Sequence, residues 1–533
     1  MSTGLTEPGP RRFHHSPARL CSRPLTRGAS MSSVPLPPAS DGQGPVLRRS
    51  LGVVDGVAIA ASSTAATTSI AIGMGTIASV VGLQAPALLL LAFLPVLGIA
   101  TAYARLNRSE PNCGNGYVWV GKSLGPWPGF LTGWVTLVGS IIFCAYTSAV
   151  MGSVVLILAN RSGLHSLAGV TLDPTSTGAS TAVGLIVLLA LAFLTVTGMR
   201  AATRFQFALL VFEYAVLLVF CGWAMVTGEQ SFSLSWFNPF AISDGTAFAQ
   251  GMVLAVFFFW GWDAAFSVTE ETRSPGDSAR GGFIALFAML GLFLFASVAF
   301  QREMSLTELI QNGPQALPYL GGKLAAEPWA TLPLIALMFS AVASVQATLI
   351  PTARGLLAMG RDRTMGPVWT RIHPRYGTPA AGTVVVLAIA TVIALLAVAI
   401  PKLSDMLLAA VNAIGLIVAL YYGLTALACV VRFRSALRAG PREALLAVGV
   451  PAASSLVLLG LGGYLGYSYL TMSDHFELSP DNGWFMFSLP AAVVLAGLGM
   501  AAVAKYVRRS PYFTTGHGTD AEALTLPMDR TAV

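Results

Sequence analysis

Between Leu51 and Arg509, apolar stretches long enough to cross a bilayer alternate with short polar loops, and Lys and Arg fall almost entirely in every second loop. Twelve such segments are read, at about 52–76, 83–104, 127–158, 180–199, 205–227, 246–268, 281–300, 331–353, 379–400, 405–430, 444–469 and 484–507. Each reaches the ~20 residues that a helix needs to span ~30 Å of hydrocarbon. With the N-terminus set on one side, twenty-one cations gather there, from Arg48 and Arg49 to Lys505, Arg508 and Arg509. Only Arg161, Arg302, Lys323 and Lys402 lie opposite. The positive-inside rule then puts both termini in the cytoplasm of a multi-pass protein of the inner or plasma membrane.

That pattern absorbs most of the composition. The chain is 55% hydrophobic and 10% charged, outside the soluble globular range. Its net charge of +7 sits in the loops on the N-terminal side and in the tail, so it reads as a topology signal and no nucleic-acid partner is expected. Five cysteines without a CxxC or Cys/His cluster predict neither a disulfide framework nor a zinc site. All six histidines lie in tails or loops, so neither a histidine proton relay, a metal site nor a cofactor is expected. No GxSxG, HExxH or paired catalytic carboxylates appear, which argues against an enzyme. Residues 1–47 and 510–533 read as disordered tails, and the outer loop 301–330 is expected to hold a short surface helix.

Many helices alone do not assign a function; broken helix and buried charge are more telling. The first segment holds Ala61-Ser-Ser-Thr-Ala-Ala-Thr-Thr-Ser-Ile70, followed by Gly73 and Gly75. Small side chains lower the cost of leaving helical geometry, and hydroxyls can re-satisfy freed backbone groups. The competing reading is a close helix–helix contact. The sixth segment runs Phe257-Phe-Phe-Trp-Gly-Trp-Asp-Ala-Ala265, placing Gly261 and an ionisable Asp263 inside an apolar span. An intramembrane carboxylate costs ~2.5–3.5 kcal/mol on insertion scales and marks a functional position. Segments one and six occupy matching places in two five-helix halves, which is the sequence pointer to a transporter's midplane site.

Several ordered blocks across 50–435 resemble the amino acid–polyamine–organocation permease family. Tyr103-Ala-Arg-Leu-Asn-Arg-Ser-Glu-Pro111 and Cys113-Gly-Asn-Gly-Tyr117 look like its "LxRxxPxxGGxY" loop, with Asn115 in place of the first Gly of the usual pair. Leu124-Gly-Pro-Trp-Pro-Gly-Phe-Leu-Thr-Gly-Trp134 resembles the entry to helix three, and Glu270-Glu-Thr-Arg-Ser-Pro275 the "EExxxP" exit of helix six. Ala353-Arg-Gly-Leu-Leu-Ala-Met-Gly-Arg-Asp362 and His373-Pro-Arg-Tyr-Gly-Thr-Pro379 follow in order. The resemblance implies an all-α polytopic fold of twelve transmembrane helices. Its core, 48–435, holds two inverted five-helix repeats of the leucine-transporter type, about 48–228 and 245–435, and 436–509 adds two peripheral helices. Where the family often unwinds helix one at a GSG-type triplet, this chain carries Thr67-Thr-Ser69.

Gly116-Tyr-Val-Trp-Val-Gly-Lys-Ser123 satisfies the pattern GxxxxGK[ST], but it follows a membrane span and carries bulky residues inside the would-be loop. It is read as coincidence, since a phosphate cradle needs a preceding strand. Glu213 lies mid-span in segment five; some proton-coupled relatives carry a lysine at the matching place as a sodium substitute, a device that an acidic residue puts in doubt.

The expected function is secondary transport of amino acids or related amines by alternating access, ion-coupled, by H+ first and Na+ second. The alternatives are a non-transporting sensor on the same fold and an amino acid/polyamine exchanger. An unwound helix one offers N–H groups and a positive helix end to a carboxylate, supplemented by Ser63, Thr64, Thr67, Thr68 and Ser69. The family resemblance assigns the ammonium to freed carbonyls of Phe257, Phe258 and Trp260, with Asp263 beside them. Phe257 and Trp260 are the expected aromatic gate. Asp263, and Glu213 second, are the expected coupling groups, with Ser340, Ser344 and Thr348 the fallback for a sodium site.

Overall fold

The computed structural model describes residues 47–514 apart from 168, 243, 401–413 and 480–481. Residues 1–46 and 515–533 of the tails expected to be disordered, and the start of segment 405–430, lie outside the described residues, whereas residues 510–514 are ordered against the bundle. The rest is helical except for a hairpin of two-residue strands, Ser166–Leu167 and Val170–Thr171.

Eleven helices among the described residues are long and apolar enough to cross a membrane, and Gly245–Phe258 is a shorter apolar helix. The count falls one short of twelve because the sixth segment is interrupted. It consists of α8 (Gly245–Phe258), five residues of turn, and the one-turn helix α9 (Ala264–Ser267). The first segment is split as well, into α1 (Val53–Thr64) and α2 (Ala66–Val81). Between and after them come α3 (Ala85–Ser109), α4 (Gly116–Leu124), α5 (Pro126–Arg161), α6 (Thr177–Thr197), α7 (Met199–Thr227) and α10 (Pro275–Glu303). The chain is thus an all-α polytopic membrane protein. The GxxxxGK[ST] octet lies within α4, and the amides of Tyr117, Val118 and Trp119 are taken by the carbonyls of Gly114 and Asn115, so it is helix and not a phosphate-cradling loop.

Two short helices, α11 (Leu306–Asn312) and α12 (Ala316–Leu324), fill the outer loop where one was expected. Ser305 and Glu308 cap α11 reciprocally, the Ser305 amide donating to Glu308 Oε2 at 2.8 Å. The turn after α11 lies against α2 so closely that a side chain at Gly75 would overlap the Gly313 backbone. Then follow α13 (Leu332–Arg361), α14 (Ala380–Ala399) and the spans Ile414–Arg432, Val450–Met472 and Gly483–Ala502.

Membrane helices associate through close van der Waals packing, which small residues permit. At the α5–α6 contact a Cβ on Gly152 would overlap the Ser180 carbonyl, and one on Gly184 the Ser148 carbonyl. Backbone cannot rotate aside as a side chain can. Gly184→Val is therefore expected to cost at least the ~1–3 kcal/mol of ordinary overpacking. A lower melting temperature and less monodisperse protein in detergent would show it; unchanged melting would exclude this contact as structural.

Candidate functional site

Helix one breaks at Ala65, whose φ of 50° and ψ of 53° are left-handed. This is two residues ahead of the Thr67–Ser69 triplet where unwinding was expected. For a residue with a Cβ the conformation costs roughly 1–2 kcal/mol. Neighbouring hydroxyls repair the backbone. Ser69 Oγ donates to the Thr64 carbonyl at 3.1 Å, and the Thr68 N–H donates to Ser340 Oγ of α13 at 3.3 Å. Thr64 Oγ1 donates to the Ala60 carbonyl at 3.0 Å. Thr64 and Ser69 are thus committed to their own helix, while the buried hydroxyls of Ser62, Thr67 and Thr68 lack a hydrogen-bond partner.

The sixth segment leaves helical geometry from Phe259 to Asp263. Phe259 N–H donates to the Val256 carbonyl at 3.1 Å and Trp260 N–H to that of Phe257 at 3.0 Å, a tight last turn. The carbonyls of Phe258, Phe259 and Trp260 accept no backbone hydrogen bond, so of the expected set Phe257 is taken, Phe258 and Trp260 are open, and Phe259 joins them. Gly261 has φ 107°, and a Cβ there would stand 2.6 Å from the Ser63 carbonyl. The two breaks therefore meet directly, at Ser63 and Gly261.

Aromatic side chains line this meeting point. Phe257 stacks on Trp260 at 5.5 Å, and Trp260 stands edge-on to Phe143 of α5 at 5.5 Å. Trp260 Nε1 donates to Tyr421 Oη at 2.8 Å, and Tyr422 Oη donates to Asp263 Oδ1 at 2.7 Å. Phe258 and Trp262 are buried in the core: Phe258 packs on Phe293 at 5.3 Å, Trp262 on Tyr103 at 5.2 Å. Asp263 borders a cavity of about 60 Å³ whose wall includes Tyr103, Asn115, Tyr117, Thr352 and Tyr421. That is small against the ~300 Å³ or more of an open small-molecule pocket. The site is contracted in this conformation.

Tyr103, Tyr421, Tyr422 and Phe143 were not foreseen as site residues. The Tyr421–Tyr422 pair in an otherwise aliphatic span was the available signal. Glu213 of α7 is fully buried and faces the Thr67 and Ser340 hydroxyls, although neither contact meets hydrogen-bond geometry. It stands apart from the Asp263 cluster. Ser344 and Thr348 donate to carbonyls of their own helix, at 2.9 and 2.8 Å.

One end of the bundle, rich in arginine, closes below the cavity. Ser50 and Leu51 amides donate to the Glu271 carbonyl at 2.8 and 3.0 Å, and Arg273 N–H returns to the Leu51 carbonyl at 2.9 Å. Arg354 and Glu271 form an ion pair at 2.7 Å, with side chains only 1% and 2% exposed. Arg361 reaches Glu270 at 2.9 Å, and the Cys113 amide donates to the same carboxylate at 3.0 Å. The Asn115 amide, oriented by its neighbours, donates to the Phe266 carbonyl at 3.0 Å and accepts from Ser267 N–H at 3.1 Å. Burial alone would raise the Glu270 carboxyl, but the Cys113 amide and Arg361 outweigh it and hold it below its ordinary value.

The family model described as amino acid permease matches residues 60–475, and the chain belongs to that family, whose members are transporters and not enzymes. It is 25% identical over 317 residues to the low-affinity putrescine importer PlaP of Escherichia coli, covering 56% of this chain and 64% of the importer. It is 25% identical to the human large neutral amino acids transporter small subunit 2, covering 72% of this chain and 70% of that protein. The branched-chain amino acid permease BcaP of Bacillus subtilis is also 25% identical, with 63% and 72% covered.

Two outcomes are expected. Gly261→Ala forces a strained φ costing ~1–3 kcal/mol onto a backbone already touching Ser63, so transport should fall at least about tenfold while the protein still inserts. Wild-type uptake rates in reconstituted vesicles would refute the contact's importance. For Glu270, a lowered carboxyl value means that its contribution to closure is complete above the ordinary carboxylate range and is lost only as pH falls through the lowered value. Glu270→Gln should therefore leave the shape of the uptake profile between about pH 6 and 8 unchanged, because wild-type Glu270 does not titrate there.

Proposed function

We propose that this chain is a secondary transporter of amine-bearing small molecules, with an uncharged amino acid as the preferred substrate class, working by alternating access. The observation that carries the reading is the meeting of two broken membrane helices at Ser63 and Gly261, with Asp263 beside it. The N-terminal end of α2 presents a positive helix end to a carboxylate, and the free carbonyls of Phe258, Phe259 and Trp260 suit an ammonium. Phe257 and Trp260 offer π-faces worth ~0.5–2 kcal/mol to that ammonium and form the proposed gate. The names of the relatives, covering putrescine, large neutral and branched-chain amino acids, support the same class.

A diamine is the second reading. It rests on Asp263, which faces tyrosines and, among the described residues, no cationic side chain, and on the likeness to a putrescine importer. One carboxylate would then serve both the distal amine and ion coupling, which ties the two tasks together. For this reason the uncharged amino acid is preferred.

Coupling is assigned to Asp263, with Glu213 second, and the arginine-rich end is taken as cytoplasmic on the positive-inside argument. The test is uptake into vesicles under imposed pH or sodium gradients, for wild type, Asp263→Asn and Glu213→Gln. Neutralising the coupling group should abolish proton-driven accumulation and leave exchange partly intact. If both variants keep the wild-type response to pH, proton coupling through these groups is wrong. A competition panel of twenty amino acids plus putrescine settles the substrate: inhibition by putrescine or arginine alone would overturn the uncharged choice.

A further inference from the structure

The described C-terminal residues do not simply leave the last helix. Arg509 takes a left-handed φ of 49°, and the chain turns back across the arginine-rich end. Arg508 Nη1 donates to the Thr364 carbonyl at 3.3 Å, and Ser510 Oγ donates to the Asp362 carbonyl at 2.9 Å. Both acceptors lie just past the exit of α13. Ser510 Oγ also accepts from the Tyr512 N–H at 3.3 Å, capping the short turn Pro511–Phe513.

This turn delivers Tyr512 to the opposite side of a seam. Its ring stacks on Tyr117 of α4 at 5.1 Å and 12°, and the residue is only 4% exposed. Its hydroxyl end occupies a notch that exists because positions 121 and 129 are glycine. The three atoms nearest a Cβ at Gly121 would all belong to Tyr512. Phe513 braces the turn against Trp127 at 5.7 Å.

The seam matters because of what it closes. Tyr117 and Met359 form part of the wall of the Asp263 cavity, as does Cys113. Tyr117 Oη lies 3.3 Å from Thr364 Oγ1, joining α4 to the α13 exit across that wall. Opening the cavity toward this end requires those two hydroxyls to part. Tyr512 stacks on the first partner, and its strap bonds to the carbonyl of the second.

We propose that Tyr512 is a positioning residue for the gate at the arginine-rich end, clamping the α4–α5 corner to the exit of α13 and holding the cavity shut. The purpose of this clamp rests on the transport reading above, but its operation can be read without any substrate. Cys113 reports it. The thiol is 1% exposed, with Sγ 3.7 Å from the Arg354 carbonyl and 3.7 Å from Arg361 Nη1. Burial pushes it well above the usual thiol range, so it stays unreactive while the seam is closed.

The experiment uses full-length protein in vesicles carrying one cysteine, Cys113 or the mid-span Cys144, with the others replaced. A membrane-impermeant maleimide is applied from the face bearing Asp362. Tyr512→Ala should raise the Cys113 labelling rate about tenfold by shifting the population toward the open seam, and leave Cys144 labelling unchanged. Gly121→Ala, which evicts the ring while keeping the strap, should do the same and stands in if Tyr512→Ala does not fold. Unchanged Cys113 labelling in a folded variant overturns the proposal. So does a parallel rise at Cys144, which would mean general loosening and not gating. Either failure leaves the substrate and coupling assignments intact, because neither measurement uses them.

Discussion

The structure depends on the rule that backbone polar groups in hydrocarbon must find partners inside the protein. A helix meets it automatically, and a broken helix must meet it by other means. Both breaks do so with side chains from other helices. Ser340 of α13 receives the Thr68 amide, Tyr422 approaches the Gly261 amide at 3.5 Å, and Ser69 returns to the Thr64 carbonyl. The carbonyls of Phe258, Phe259 and Trp260 remain without backbone partners. Unpaired acceptors at this depth are expensive, and a bound cationic group is what would relieve them. The proposed binding site and the cost of breaking the helix are the same feature.

Much of this was legible in the chain. Apolar length and the asymmetry of arginine gave the spans and their alternation because bilayer thickness is a hard constraint. Gly261 and Asp263 inside an aromatic run marked the sixth break, since glycine is the residue that tolerates a φ of 107° and a carboxylate is costly in lipid. The first break was harder to place. Alanine gives no sign of a left-handed conformation, so the hydroxyl triplet drew attention two residues too far along. Of that triplet only the Ser69 hydroxyl proved to be part of the repair, and Ala65 was the break. Tyr103, Tyr421 and Tyr422 come to Asp263 from helices distant in sequence, and no local pattern announces such a meeting.

The carboxylates inside the two apolar spans, Asp263 and Glu213, differ in a way that only three dimensions reveal. Asp263 accepts a phenolic hydrogen bond at 2.7 Å and borders the cavity. Glu213 has no hydrogen-bond partner and lies against α2 and α13 through Thr67 and Ser340. The sequence presents them only as two acids in apolar spans.

Phe258 was described above as core, yet its ring occupies the space over Gly73, where a Cβ would overlap it. Gly73 belongs to α2 and Phe258 ends α8, so the second half of one broken helix is keyed to the first half of the other. At the opposite end Leu51 bridges to Thr272, and a Cβ on Gly281 of α10 would crowd the backbone of Gly56 and Val53. α2 is thereby coupled to α8, and α1 to α10 and the residues that follow α9, with Ala65 and Gly261 at the adjacent breaks.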